Sequence, residues 1–316
     1  MILLFLIGID RMSRDEKLTL LSQLNSVSGM SVLNEGFQRT AKTVKNKMLG
    51  FTVCTLQNIG ALKPMTSSIR RFNENTDWDP NIIQARINSE YQQLSGLTDA
   101  QLKSALFNKI AAISGADKDG DPKVVSRRVV QLAAKAVGIT PSVYKTDTML
   151  EADVNEACIK EQVDNLKKTL EVMSEEDMEQ FKDLLNQEIS KLSSADREAI
   201  KKATGLEILS SDAMVSYLKT LSGTAFLQIA GGAFGFGLYM FLSSALSALS
   251  LLFGITLPFV AYTTFSSMAA FMLSGPFFVL VAGLAGGIMV HKTNLKLNGQ
   301  LAKMLVMAGN AKLHQG

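Results

Sequence analysis

Two histidines and two cysteines in 316 residues leave little with which to build a metal centre, a disulfide framework or histidine-based catalysis. Cys54 and Cys158 stand in no metal-ligand spacing, and His291 and His314 both lie near the C-terminus. Aromatic residues make up 7% of the chain and the formal charge is only +3, which offers neither a stacking platform nor a basic footprint for nucleic acid. GxSxG, P-loop, HExxH and paired-cysteine patterns are all missing. These absences argue against an enzyme. The sequence nominates no catalytic, cofactor-binding or metal-ligating residue, and no cofactor is expected.

Charge of either sign is missing where it matters most. Residues 220–290 hold no Asp, Glu, Lys, Arg or His, and all 29 acids precede residue 213. An ordinary globule with evenly mixed surface charge is excluded. A multi-spanning transporter is disfavoured too, because most of the remaining chain reads as soluble.

That remaining chain is predicted to be all-α, with a soluble multi-helix domain over residues 13–219. Asp79-Pro80 places a cap and then proline at a first helical position, with Ile83, Ile87, Tyr91 and Leu94 on one face as far as Gly96. Thr98 with Gln101 forms a capping-box pattern ahead of Leu102, Leu106 and Ile110. Asp121-Pro122 opens a helix with Val125, Val129, Leu132 and Ala136 as its stripe and Gly138 as its stop. Thr140-Pro141, Ser174 with Asp177, and Ser193 with Asp196 predict three further starts, the last helix closing at Gly205. No window alternates as a strand does. Asp117, Asp119 and Asp121 fail as a calcium loop, since glycine falls at the fourth position and Arg128 at the twelfth.

Residues 11–71 carry a net charge of +7 and residues 147–198 a net charge of −9. Two solvated helix faces that attract each other account for this. So does a basic face that meets anionic lipid and is masked beforehand by the acidic segment. Residues 1–12 read either as an extension ahead of a start at Met12 or as a short apolar helix.

The charge-free stretch is predicted to form a transmembrane helical hairpin. Thr224–Phe253 is long enough for the ~30 Å apolar core of a bilayer, and Gly254 and Pro258 mark a reversal. The return limb is broken at Gly275-Pro276, which leaves three crossings as the rival to two. Lys219 precedes the segment and Lys292 and Lys296 follow it, and basic flanks at both ends prefer an even number of crossings. These three lysines are the expected interface anchors, and residues 291–316 form a basic C-terminal tail.

Gly231 with Gly235, and Gly283 with Gly287, give small-xxx-small pairs that suit close helix packing. Ser243, Ser247 and Ser250 recur at helical spacing, which fits a pore lining, a helix contact, or serines bonded to their own helix. The phrase from Gly231 to Gly237 has neither the preceding strand nor the acidic partner of a nucleotide loop.

The stretch from Val124 onward resembles the YaaW-like family of bacterial proteins. The resemblance rests on Lys135-Ala-Val-Gly138, an acidic helix from Met149 to Met173, Met-Ser-Glu-Glu at Met173–Glu176, and an apolar tail with Gly275-Pro276. It implies a bacterial, helical, membrane-associated protein and carries over no catalytic residue. The expected function is a membrane-inserting protein that oligomerises and permeabilises a membrane, as a pore-forming toxin or a defence or stress effector. Its partners would be the lipid bilayer and further copies of itself, with no nucleic acid. The expected location is the bacterial inner membrane, with a soluble form stored before insertion. The alternative is a membrane-anchored adaptor or regulator whose soluble helices bind a protein partner.

Overall fold

Helix boundaries fall where the sequence supplies caps. The computed structural model describes residues 2–28, 80–117, 120–221, 235–252 and 293–313. Among these residues every regular element is helical. In chain order they are α1 (Leu4–Arg11), α2 (Arg14–Ser28), α3 (Pro80–Leu94), α4 (Asp99–Ser114), α5 (Pro122–Ala136), a 3-10 turn (Pro141–Val143), α6 (Asp147–Val172), α7 (Glu175–Lys191), α8 (Ser194–Thr204), α9 (Ser211–Thr220), α10 (Gly235–Leu252) and α11 (Thr293–Leu313).

Thr98 and Gln101 close α4 with a reciprocal capping box, and Ser193 with Asp196 does the same for α8. Asp121 accepts from the Lys123 N–H at the start of α5, and Ser174 accepts from the Asp177 N–H at the start of α7. Such caps contribute about 1 kcal/mol each.

The structure departs from expectation at three places in this region. Thr140-Pro141 opens only a 3-10 turn; the long helix starts later, at Thr146, whose hydroxyl accepts from the Met149 N–H. On α5 the buried face is wider than the predicted stripe. It takes in Val130, Ala133 and Ala134 but leaves Ala136 exposed, because α5 packs against α4, α6 and α11. Helix α9 was not expected; its cap is Ser210, which accepts from the Ala213 N–H.

Residues 293–313, which charge marks as a tail, form a central helix. Residues 301–308 of α11 are buried without interruption, so all its sides are covered there. Its neighbours are α1, α5, α6 and α4, while α2 rests on α3 and α4. With 26 residues, α6 is about 39 Å long. It connects this group to a second one in which α10 packs on α7 and α8, and α9 packs on both α6 and α7. Buried side chains of both groups belong to one continuous core.

The apolar start of the chain forms α1, and α6 rather than a local residue caps it. Leu3 provides no side-chain cap. Instead Glu151 on α6 accepts from the Leu4 N–H at 2.9 Å, the Phe5 N–H at 2.6 Å and the Asn310 amide at 3.1 Å. The carboxyl is 1% exposed, and burial pushes its pKa above the ordinary range against the pull of those three donors. Gly8 and Gly309 let α1 and α11 touch backbone to backbone. A Cβ on Gly8 would lie 1.8 Å from the Gly309 carbonyl oxygen, and one on Gly309 would lie 2.0 Å from that of Phe5.

Candidate functional site

The charge-free segment enters the described structure as α10, and its docking surface is the site with the clearest chemistry. Leu238, Met240, Phe241, Leu242, Ala245 and Leu246 are all buried. At 100° per residue five of them fall within one arc of about 140°, and Met240 is buried on the other side of the helix. Each fully buried side chain of the larger kind stabilises by about 1.5–3 kcal/mol relative to exposure.

The receiving face belongs to the acidic part of the chain. On α7, Phe181, Leu185 and Ile189 form the buried face, and Glu188 shares it at 8% exposure. A carboxylate removed from water needs partners. Glu188 has two: the Lys191 ammonium through Oε1, and Ser247 Oγ of α10, which donates to Oε2 at 2.8 Å. On α8, Ile200 and Ala203 are buried, and the Ala199 carbonyl meets α10 at Gly237. A Cβ on Gly237 would fall 2.0 Å from that oxygen, so only glycine permits this crossing. From α9, the Tyr217 ring meets Phe241 edge-on, with centroids 5.3 Å apart and planes at 82°. Burial raises the Tyr217 pKa.

Of the serines at helical spacing, Ser247 makes the helix contact just described. Ser244, next to that row, bonds instead to the Met240 carbonyl of its own helix at 3.1 Å. Among the expected site residues, Gly235 opens α10 and Lys219 is exposed in the last turn of α9. Lys296 falls in the first turn of α11. Gly231, Gly254, Pro258, Gly275, Pro276, Gly283, Gly287 and Lys292 lie outside the described residues. The described glycine that makes a close helix crossing in this segment is thus Gly237, two residues beyond the expected pair.

The transmembrane hairpin gains no support from the described helices: none of them is long and apolar enough to cross a membrane. Helix α10, with 18 residues, extends about 27 Å.

Of two lysines that follow the charge-free stretch, Lys303 is an interior group and Lys312 is half-buried. Lys303 is 0% exposed and donates to Glu161 Oε2 of α6 at 2.6 Å. Lys312 donates to Glu16 Oε1 of α2 at 2.8 Å, and Glu16 also accepts from the Ser13 N–H. Cys158, one turn before Glu161, is buried, and desolvation pushes its thiol up to about 12. A thiol held neutral in this way is unreactive.

An open groove of about 750 Å³ lies at the α6–α7 corner, against the end of α9. Met173 and Met178 supply its apolar surface, Glu171, Glu175 and Glu179 its acids, and Lys219 its one cation. Among the described residues no group of three or more His, Cys, Asp or Glu side chains could hold a metal ion. No protein-family model, curated protein or solved structure matches the chain.

Proposed function

We propose that the protein stores its charge-free segment against its own acidic helices and inserts it into a membrane, where several copies permeabilise the bilayer. One observation carries this reading. Helix α9, which ends at Thr220, and α11, which begins at Thr293, both pack on α6. The 71 residues 220–290 are therefore held at both ends by one folded body. A segment tethered at both ends in this way crosses a bilayer an even number of times. The stored state corresponds to α10 on α7 and α8, with Glu188 and Ser247 as its polar fastening. A crossing would draw on charge-free residues on both sides of α10 in the sequence, since α10 alone is shorter than the ~30 Å apolar layer. The bacterial inner membrane as target follows from the YaaW-like resemblance of the stretch after Val124.

Expression of the full chain, followed by fractionation and scoring of host growth, tests the reading. Membrane association together with arrested growth is expected. Full recovery in the soluble fraction with normal growth would contradict it.

A membrane-anchored adaptor is the second reading, favoured by the groove at the α6–α7 corner. Replacing residues 220–290 by a short linker separates the two. An adaptor keeps its partner after this change, whereas a permeabilising protein loses all activity.

A further inference from the structure

We infer that the groove at the α6–α7 corner docks a basic amphipathic helix of a protein partner, its apolar anchor against Met173 and Met178 and its lysines or arginines against Glu171, Glu175 and Glu179.

The shape comes from a sharp corner. Helix α6 ends at Val172, α7 begins at Glu175, and the last turn of α9 faces the corner through Lys219. At about 750 Å³ the opening has the size of a binding cleft rather than a packing defect. Met173 and Met178 are half-buried and packed against the core, so their thioethers present a pliable apolar surface to whatever enters. Such surfaces accept helical partners through one or two apolar anchors.

The charge fixes the sign of the occupant. Three carboxylates face one ammonium around the opening. Glu179 is paired with Lys182, which also reaches Asp212. Glu171 and Glu175 have no ion-pair partner among the described residues. Glu171 also breaks a local rule, because it sits at the negative end of a 26-residue helix whose last turn has no basic residue. That placement costs the isolated fold and is offset when a cation arrives. Glu175 and Glu179 are one helical turn apart, so they present their charges in a row to match lysines at the same spacing.

The inference stands apart from the membrane reading. It makes no use of residues 220–290, so peptide binding and vesicle leakage succeed or fail separately.

The test uses the full chain and a fluorescent synthetic helix of leucine and lysine in amphipathic order, followed by anisotropy. A scrambled lysine–leucine peptide and a glutamate–leucine peptide of the same pattern serve as controls. Saturable binding of the amphipathic basic peptide alone is expected, weakening as salt is raised. The surface variant Glu171→Gln/Glu175→Gln/Glu179→Gln should lose about tenfold or more in affinity, while Glu156→Gln, exposed nearer the start of α6 and outside the groove, should not. A benzophenone at the peptide's anchor position should label Met173 or Met178. Failure to bind, equal binding of either control, unchanged affinity in the triple variant, or labelling elsewhere would each overturn the proposal. So would self-association of the chain that the triple variant abolishes, which would assign the groove to a second copy.

Discussion

Ser247 donates a 2.8 Å hydrogen bond to Glu188 across the contact between α10 and α7, 59 residues apart in the chain. It links the uncharged segment to the acidic helices through a polar bond beside the buried apolar side chains of both. Ser247→Ala should therefore destabilise the protein by about 1–3 kcal/mol, the cost of leaving a buried carboxylate short of a donor. Urea unfolding measures this. The same variant should associate with vesicles faster than the parent chain, because the bond that fastens α10 is gone.

Gly237→Ala should weaken the docking of α10 on α8 by about 1–3 kcal/mol, since the new methyl meets a backbone carbonyl rather than a movable side chain. Gly309→Ala should act similarly on the α1–α11 crossing. Gly96→Ala is the control: nothing lies within 4 Å of its Cβ position, so thermal unfolding should be nearly unchanged.

These glycines show how far the sequence could be read. The caps at Thr98, Asp121, Ser174 and Ser193 were legible because each is a local pattern of two or three residues. Gly237, Gly8 and Gly309 were not, since a close crossing depends on a partner helix far away in sequence. Glu188 offered a usable signal, a carboxylate one position before Ile189 on the face set by Phe181 and Leu185. Its meaning still required the facing Ser247. The basic C-terminal tail read as flanking charge, whereas its Lys303 is a core group paired with Glu161 on α6 and its half-buried Lys312 pairs with Glu16 on α2.

The Lys303–Glu161 pair is asymmetric, and its variants should be as well. Lys303 is 0% exposed while the Glu161 side chain is 37% exposed. Glu161→Ala strands an ammonium in the core and should cost about 3–5 kcal/mol. Lys303→Met leaves Glu161 to water and fills the same space, so it should be near neutral or stabilising. Chemical denaturation of both variants checks the contrast.

Two buried acids should leave pH signatures. Burial raises the folded-state pKa of Glu151, so its contribution to stability is fullest below the ordinary carboxyl value of 4.5 and declines as pH rises through the raised value. Glu151→Gln should abolish this pH dependence, and it should lower stability by about 1–3 kcal/mol, because the amide has one acceptor oxygen for donors that meet two. The Cys158 thiol, ordinarily near 9.0, titrates at about 12 in the fold, so its contribution is lost as pH climbs between those values. In a Cys54→Ala background, Cys158 should resist thiol reagents until denaturant is added.

The storage-and-insertion account rests most directly on what the intact chain does to a bilayer. Dye-loaded vesicles rich in anionic lipid, mixed with purified full-length protein, measure this without a host cell. The account predicts concentration-dependent dye release that Ser247→Ala accelerates and that removal of residues 220–290 abolishes. Vesicles that bind the protein yet hold their dye at every pH and concentration would contradict it.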